Sequence, residues 1–107
     1  MDTKQYNGWT NYETWAVALW LDNEEGSQRY WMERAEEYVK VDGEDAASGL
    51  ADELKEHHEE NNPVPSGTVF SDLMSAALSE VNWYEIAAHY TSEVEVEVED
   101  EAISSQG

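Results

Sequence analysis

Five consecutive residues, Glu56-His57-His58-Glu59-Glu60, set two imidazoles among three carboxylates, the side-chain types that ligate zinc. Zinc on a helix wants ligands one turn apart, and adjacent histidines on a helix point about 100° away from each other. The remaining histidine, His89, lies far along the chain, so the cluster reads as a solvated helix end rather than a metal centre. The stretch from Asp22 to Glu33 has acids at the first and twelfth positions of a calcium loop. Its glycine, Gly26, falls one position early, and the stretch reads better as a helix cap followed by a helix. Carboxylate pairs suited to acid–base chemistry say little in a chain with 25 acidic residues. The sequence has no nucleophile elbow, phosphate loop or dinucleotide fingerprint. With only five Lys and Arg, little is left to hold a phosphorylated substrate or an oxyanion. The expectation is a protein that is not an enzyme and uses no cofactor or metal.

Charge narrows the classes further. A formal net charge of −20 opposes direct binding to a nucleic-acid backbone and docking on anionic lipid. A protein partner fits that charge better, a DNA-binding enzyme included. Cysteine is absent, which excludes disulfides and thiolate metal sites. The start, Met1-Asp2-Thr3-Lys4-Gln5-Tyr6, is polar and unlike a signal peptide, and the longest apolar run, Trp15 to Leu21, is far below spanning length. The cytoplasm is the expected location. A length of 107 residues suits one domain, and five Trp and six Tyr can supply its core.

The elements that must position these groups are helical. Thr10 and Glu13 have the spacing of a capping box, and the run from Trp15 to Leu21 is apolar on every side. A helix of that kind is expected at the centre of a fold. A second helix over residues 24–40 carries Trp31, Ala35 and Tyr38 on one stripe. A third, over 45–60, carries Ala47, Leu50, Ala51 and Leu54. Two prolines and a glycine make residues 61–67 a loop. A fourth helix over 69–80 has Phe70, Met74, Ala77 and Val81 at helical spacing, with Leu73 and Leu78 alongside. Asn82 caps a last helix of 83–90, with Glu85 three residues on. The Val–Glu alternation that follows reads as an acidic, disordered tail, with a short edge strand as the alternative. The expected fold is all-α, a compact bundle of four to five short helices, with a helical domain over 1–91 and the tail over 92–107.

Two stretches resemble a known family. Tyr6-Asn7-Gly8-Trp9-Thr10-Asn11-Tyr12-Glu13-Thr14-Trp15, continuing to Leu19-Trp20-Leu21-Asp22-Asn23, is similar to the opening of a family of small proteins carried by phages, plasmids and some prokaryotic genomes, haloarchaeal ones among them. Asp72-Leu73-Met74-Ser75-Ala76-Ala77-Leu78-Ser79-Glu80-Val81-Asn82-Trp83-Tyr84-Glu85-Ile86-Ala87 resembles that family's closing motif. The family is a domain of unknown function. The resemblance implies a compact fold and a mobile-element or haloarchaeal setting, and supplies no catalytic residue.

Two explanations of the charge follow. Duplex DNA carries one charge per about 1.7 Å of axis, so twenty charges match roughly 34 Å of duplex, about the diameter of a compact domain of this length. The chain could therefore mimic DNA and inhibit a nucleic-acid-handling defence enzyme. The acids expected to face such a partner are Glu33, Glu36 and Glu37 of the second helix and Asp52, Glu53, Glu56, Glu59 and Glu60 of the third. Alternatively the acidity is adaptation to molar salt, in keeping with only three lysines, Lys4, Lys40 and Lys55. A third reading is an adaptor that binds a protein through exposed aromatics, Tyr6 and Trp9.

Overall fold

A computed structural model describes the backbone of residues 6–106 and the side chains as far as Val94. Five α-helices follow one another: α1 (Tyr12–Asn23), α2 (Glu25–Asp42), α3 (Ala46–Glu60), α4 (Val69–Ser79) and α5 (Trp83–Gln106). A single 3-10 turn, Gly43–Asp45, joins α2 to α3. The only β pairing among the described residues is a bridge between Tyr6 and Trp9.

The core is a three-helix packing of α2, α3 and α5. From α2 come Trp31 and Ala35, and from α3 Ala47, Leu50, Ala51 and Leu54, the inward stripes that helical spacing predicts. Helix α5 adds Trp83, Ile86, Ala87, Tyr90 and Val94. That last residue changes the expected end of the domain. The helix does not stop at Tyr90 but continues to Gln106, and Val94 is buried in the core, so packing reaches into the stretch read as tail. The expected disordered tail over 92–107 falls, from residue 95 onward, on side chains outside the described residues.

Helix α1 is not the central element. Its apolar residues surround the helix, yet only Thr14, Ala18 and Leu21 are buried, and Trp20 is 74 % exposed. An apolar run of seven residues is two turns; of these Ala18 and Leu21 enter the core, to which α2, α3 and α5 contribute most of the side chains. Its cap also differs from the expected box. Asn11, not Thr10, is the N-cap, its side chain accepting from the Thr14 backbone N–H.

The chain before α1 makes a tight turn. Asn7 and Gly8 both have positive φ (48° and 90°), and Tyr6 and Trp9 exchange two backbone hydrogen bonds of 2.8 Å. Asn-Gly favours this two-residue turn because both positions must enter the left-handed region.

The two motifs quoted above meet in space through a polar latch. The Thr14 hydroxyl donates to Asn11 Oδ1 (2.6 Å) and accepts from the Asn82 backbone N–H (2.9 Å), so one buried oxygen joins the N-termini of α1 and α5. Asn11 Nδ2 donates to the Glu80 carbonyl (2.7 Å), and the Thr10 N–H donates to Glu85 Oε1 (3.1 Å). Asn82 caps α5 as its sequence position predicts, accepting from the Glu85 N–H at 3.0 Å. At the far end of α1, Tyr90 Oη donates to Asp22 Oδ1 (3.0 Å), and α1 thereby lies along α5, tied at both ends. Burial pushes the Tyr90 phenol up, with the Asp22 carboxylate adding to the shift.

Candidate partner-binding surface

The acids of α2 and α3 stand on an antiparallel hairpin whose crossing is set by one ion pair. Arg34 of α2 grips Glu53 of α3 through two parallel hydrogen bonds, Nε to Oε2 at 2.8 Å and Nη2 to Oε1 at 2.9 Å. Tyr38 Oη donates to the same Oε1 at 2.8 Å, and the guanidinium lies 5.4 Å from the Tyr38 ring centre. The arginine bond foremost, and the tyrosine bond after it, hold the Glu53 carboxyl below the usual carboxylate range. Partial burial, then the carboxylate, pushes the Tyr38 phenol up. Gly49 makes the approach feasible, since a Cβ there would lie 2.7 Å from the Tyr38 ring.

Glu53 is therefore a structural residue, and the remaining acids are arranged around it. Asp52, Glu56 and Glu60 stand at i, i+4 and i+8 on α3, a row with a rise of about 6 Å per step. Glu33 and Glu37 make a second row on α2, with Glu36 beside it. These six are exposed and make no hydrogen bond or ion pair among the described residues. Glu59, also exposed, pairs with Lys55 at 3.8 Å. A shallow groove of about 750 Å³ runs between Tyr30 and Tyr38 on one side and Asp52 and Glu56 on the other. Glu37 borders the next hollow, which shares Arg34 and Tyr38 with the groove.

The structure does not bring Tyr6 and Trp9 to this hairpin. The Tyr6 ring packs on Tyr12 and Trp15, with centroids at 5.2 and 4.8 Å. Trp9 packs against the core and meets His89 of α5 at 5.4 Å. The two aromatics hold the entry turn against α1 and α5. The surface is organised by Arg34 and Gly49, which carry no signal of their own in the sequence, and by Tyr38, whose place on the inward stripe gave no hint of its bond to Glu53. The spacing Arg34–Tyr38 was readable, but their shared partner nineteen residues from the arginine was not.

The histidines close the far end of the hairpin as packing residues. His57 meets the Trp31 ring at 5.2 Å, and His58 meets Trp83 at 5.1 Å. His58 donates from Nδ1 to the Leu54 carbonyl (2.8 Å), which turns the half-buried ring inward. Its pKa is lowered, chiefly by burial. Among the described residues, no group of three His, Asp or Glu is placed to hold a metal ion. No helix among them is long and apolar enough to cross a membrane.

Fold and surface together define a small all-α acidic protein built on a charged helical hairpin. The chain belongs to the family of unknown function DUF7249, whose profile matches residues 2–103. No curated protein and no solved structure matches it.

Proposed function

We propose that this protein is a non-enzymatic, cytoplasmic binding protein whose α2–α3 hairpin occupies a basic, nucleic-acid-binding surface on a protein partner. The observation that carries this reading is the pair of unpartnered carboxylate rows. Glu33 and Glu37 run along α2, and Asp52, Glu56 and Glu60 along α3. Each row repeats about every 6 Å, so the two rows together carry one charge per about 3 Å, close to the about 3.4 Å phosphate spacing of a single strand and roughly half the charge density of a duplex. Charges exposed at a rim steer encounter and choose the partner more than they tighten the complex. A mobile-element protein that blocks a host defence nuclease is the setting in which this surface has a use.

The test is inhibition of a panel of restriction and CRISPR nucleases cutting a fixed duplex. Inhibition is expected for at least one nuclease, lifted by the triple reversal Asp52→Lys, Glu56→Lys, Glu60→Lys, and weakened by added salt. Inhibition that survives the triple reversal would refute the role of these rows.

Salt adaptation is the second reading, supported by exposed acids outside the rows. Asp42, Glu44 and Asp45 crowd the turn between α2 and α3, where no row forms. A circular-dichroism melt across a salt series separates the two readings. A fold that needs molar salt assigns the charge to solubility, whereas cooperative melting at about 0.1 M salt leaves it available for a partner. The adaptor reading has less behind it, because Trp9 packs on the core and Tyr6 on Trp15.

A further inference from the structure

Helix α4 sits on the molecule with its apolar side turned out. Its N-terminus is well made: Thr68 accepts from the Ser71 N–H and Ser71 Oγ accepts from the Thr68 N–H, both at 3.1 Å. Around the helix, Val69, Leu73, Ala77, Phe70, Met74 and Leu78 occupy one half of the circumference, and Ser71, Asp72, Ser75 and Ser79 the other. Only the edge at Leu78 touches the core. Ser75, Leu78 and Ser79 line a cavity of about 390 Å³ shared with Lys55 and Glu59, and Met74, Ala77 and Leu78 are half-buried. Val69, Phe70 and Leu73 are 63, 68 and 63 % exposed. No residue of α4 is fully buried; of the stripe expected at Phe70, Met74, Ala77 and Val81, Val81 just beyond the helix is buried, Met74 and Ala77 are half-buried and Phe70 is exposed. An eleven-residue helix has little stability by itself, so the uncovered apolar patch of Val69, Phe70 and Leu73 calls for an occupant.

The charge pattern says which occupant. From Asn61 to Ser79 the only charged residue is Asp72, in a chain of net charge −20. A basic partner is served by carboxylates around an apolar patch. A patch cleared of them suits a partner of like charge, and the like-charged protein present wherever this chain is made is another copy of it. We propose that α4 pairs with α4 of a second copy, related by a twofold axis. An antiparallel crossing centred between Leu73 and Met74 sets Phe70 of each copy opposite Ala77 of the other, large against small. Asp72 points away from that contact.

The area makes the dimer a weak one. Val69, Phe70 and Leu73 offer roughly 100 Å² each, on the order of 600 Å² for the pair of copies, against about 1,200 Å² for a firm interface. The dissociation constant expected is on the order of 100 μM. Salt acts on this contact in the opposite sense to the acidic rows: screening relieves repulsion between two polyanions and strengthens the dimer. Sedimentation equilibrium on the full chain up to about 1 mM, at about 0.1 M and about 1 M NaCl, reads both features. The expected result is a monomer–dimer equilibrium whose dissociation constant falls about tenfold at the higher salt. The double variant Phe70→Ser, Leu73→Ser changes exposed side chains only; it is expected to keep its helical spectrum and melting temperature and to stay monomeric. A monomer in both salts, a dimer weakened by salt, or a dimer unchanged in the double variant would each overturn the proposal. None of these outcomes touches the α2–α3 rows, so the two proposals stand or fall separately.

Discussion

Replacing Thr14 by Val is the sharpest perturbation of the latch. The two side chains have nearly the same shape, so the substitution leaves packing in place and deletes the hydroxyl. Thr14 is 0 % exposed, and its oxygen serves both the Asn11 side chain and the Asn82 backbone N–H. Two hydrogen bonds contribute about 0.5–1.5 kcal/mol each, and leaving the Asn82 donor unsatisfied beside the core adds about 1–3 kcal/mol. The expected loss is therefore about 2–6 kcal/mol, or roughly 10–30 °C in melting temperature for a domain of this size. Thr14→Ser is the control: it keeps the oxygen, removes one methyl group, and is expected to cost about 1 kcal/mol. Urea unfolding followed by circular dichroism at one fixed salt concentration gives both differences on one scale. Should Thr14→Val cost no more than Thr14→Ser, the hydroxyl is not what joins α1 to α5, and the account of the latch is wrong.

Further outcomes follow from the packing. His58 has its pKa lowered from 6.5 by burial, so the folded state favours the neutral ring; its contribution to stability is complete above 6.5 and is lost as pH falls through the lower folded value. Urea titrations between about pH 7.5 and pH 5 are expected to show that decline, and a shallower one in His58→Leu. Trp20→Ala is expected to change stability by less than about 0.5 kcal/mol, because the ring is 74 % exposed, whereas Trp31→Ala, 2 % exposed, costs about 3–5 kcal/mol. Equal losses would place α1 back in the core. Gly49→Ala sets a methyl 2.7 Å from the Tyr38 ring; overpacking of about 1–3 kcal/mol outweighs the helix-propensity gain of about 1 kcal/mol. In a Tyr38→Ala background the same change is expected to be neutral or stabilising, a coupling that a double-mutant cycle measures.

What the sequence disclosed depended on whether a signal was local. The stripes of α2 and α3, the Pro-rich loop and the Asn82 cap depend on residues within one or two turns, and all appear where spacing puts them. The cap of α1 was misread by one residue. Thr10 and Asn11 are both good caps, and the choice falls to Asn11 because Thr14 and Glu80, one of them in another element, bind it. The orientation of α1, and the exposure of Phe70 and Leu73 in α4, depart from expectation for a related reason. Each carries more apolar residues than one face needs, so hydrophobicity alone leaves the rotation about the axis unset. In α1, Thr14 is drawn inward by Asn82, and the ring of Trp20 is turned out in consequence. In the acidic surface, periodicity gave the rows but not their exception. Glu53 resembles its neighbours in sequence, and only Arg34 and Tyr38 across the hairpin set it apart.

The same distinction bears on what family membership conveys. Polar residues of the two motifs, Thr10, Asn11, Thr14, Glu80, Asn82 and Glu85, bond one another across the α1–α5 junction. Asn7 and Gly8 make the entry turn, and Trp83, Ile86 and Ala87 enter the core. Their work is to assemble a frame. The frame also sets charge apart by region: fourteen of the acids fall between Asp22 and Glu60, while Tyr6 to Leu21 contains Glu13 alone and Asn61 to Ser79 Asp72 alone. General solubility does not require that separation, since acids spread evenly would serve it as well. The two surfaces proposed above, one for a basic partner and one for a like-charged copy, make use of it. Moving charge between them is therefore a direct test. The pair Leu73→Glu and Glu56→Leu keeps net charge at −20, and is expected to abolish salt-strengthened dimerisation and weaken nuclease inhibition together. Were both properties to survive, charge placement would be incidental and only its total would matter.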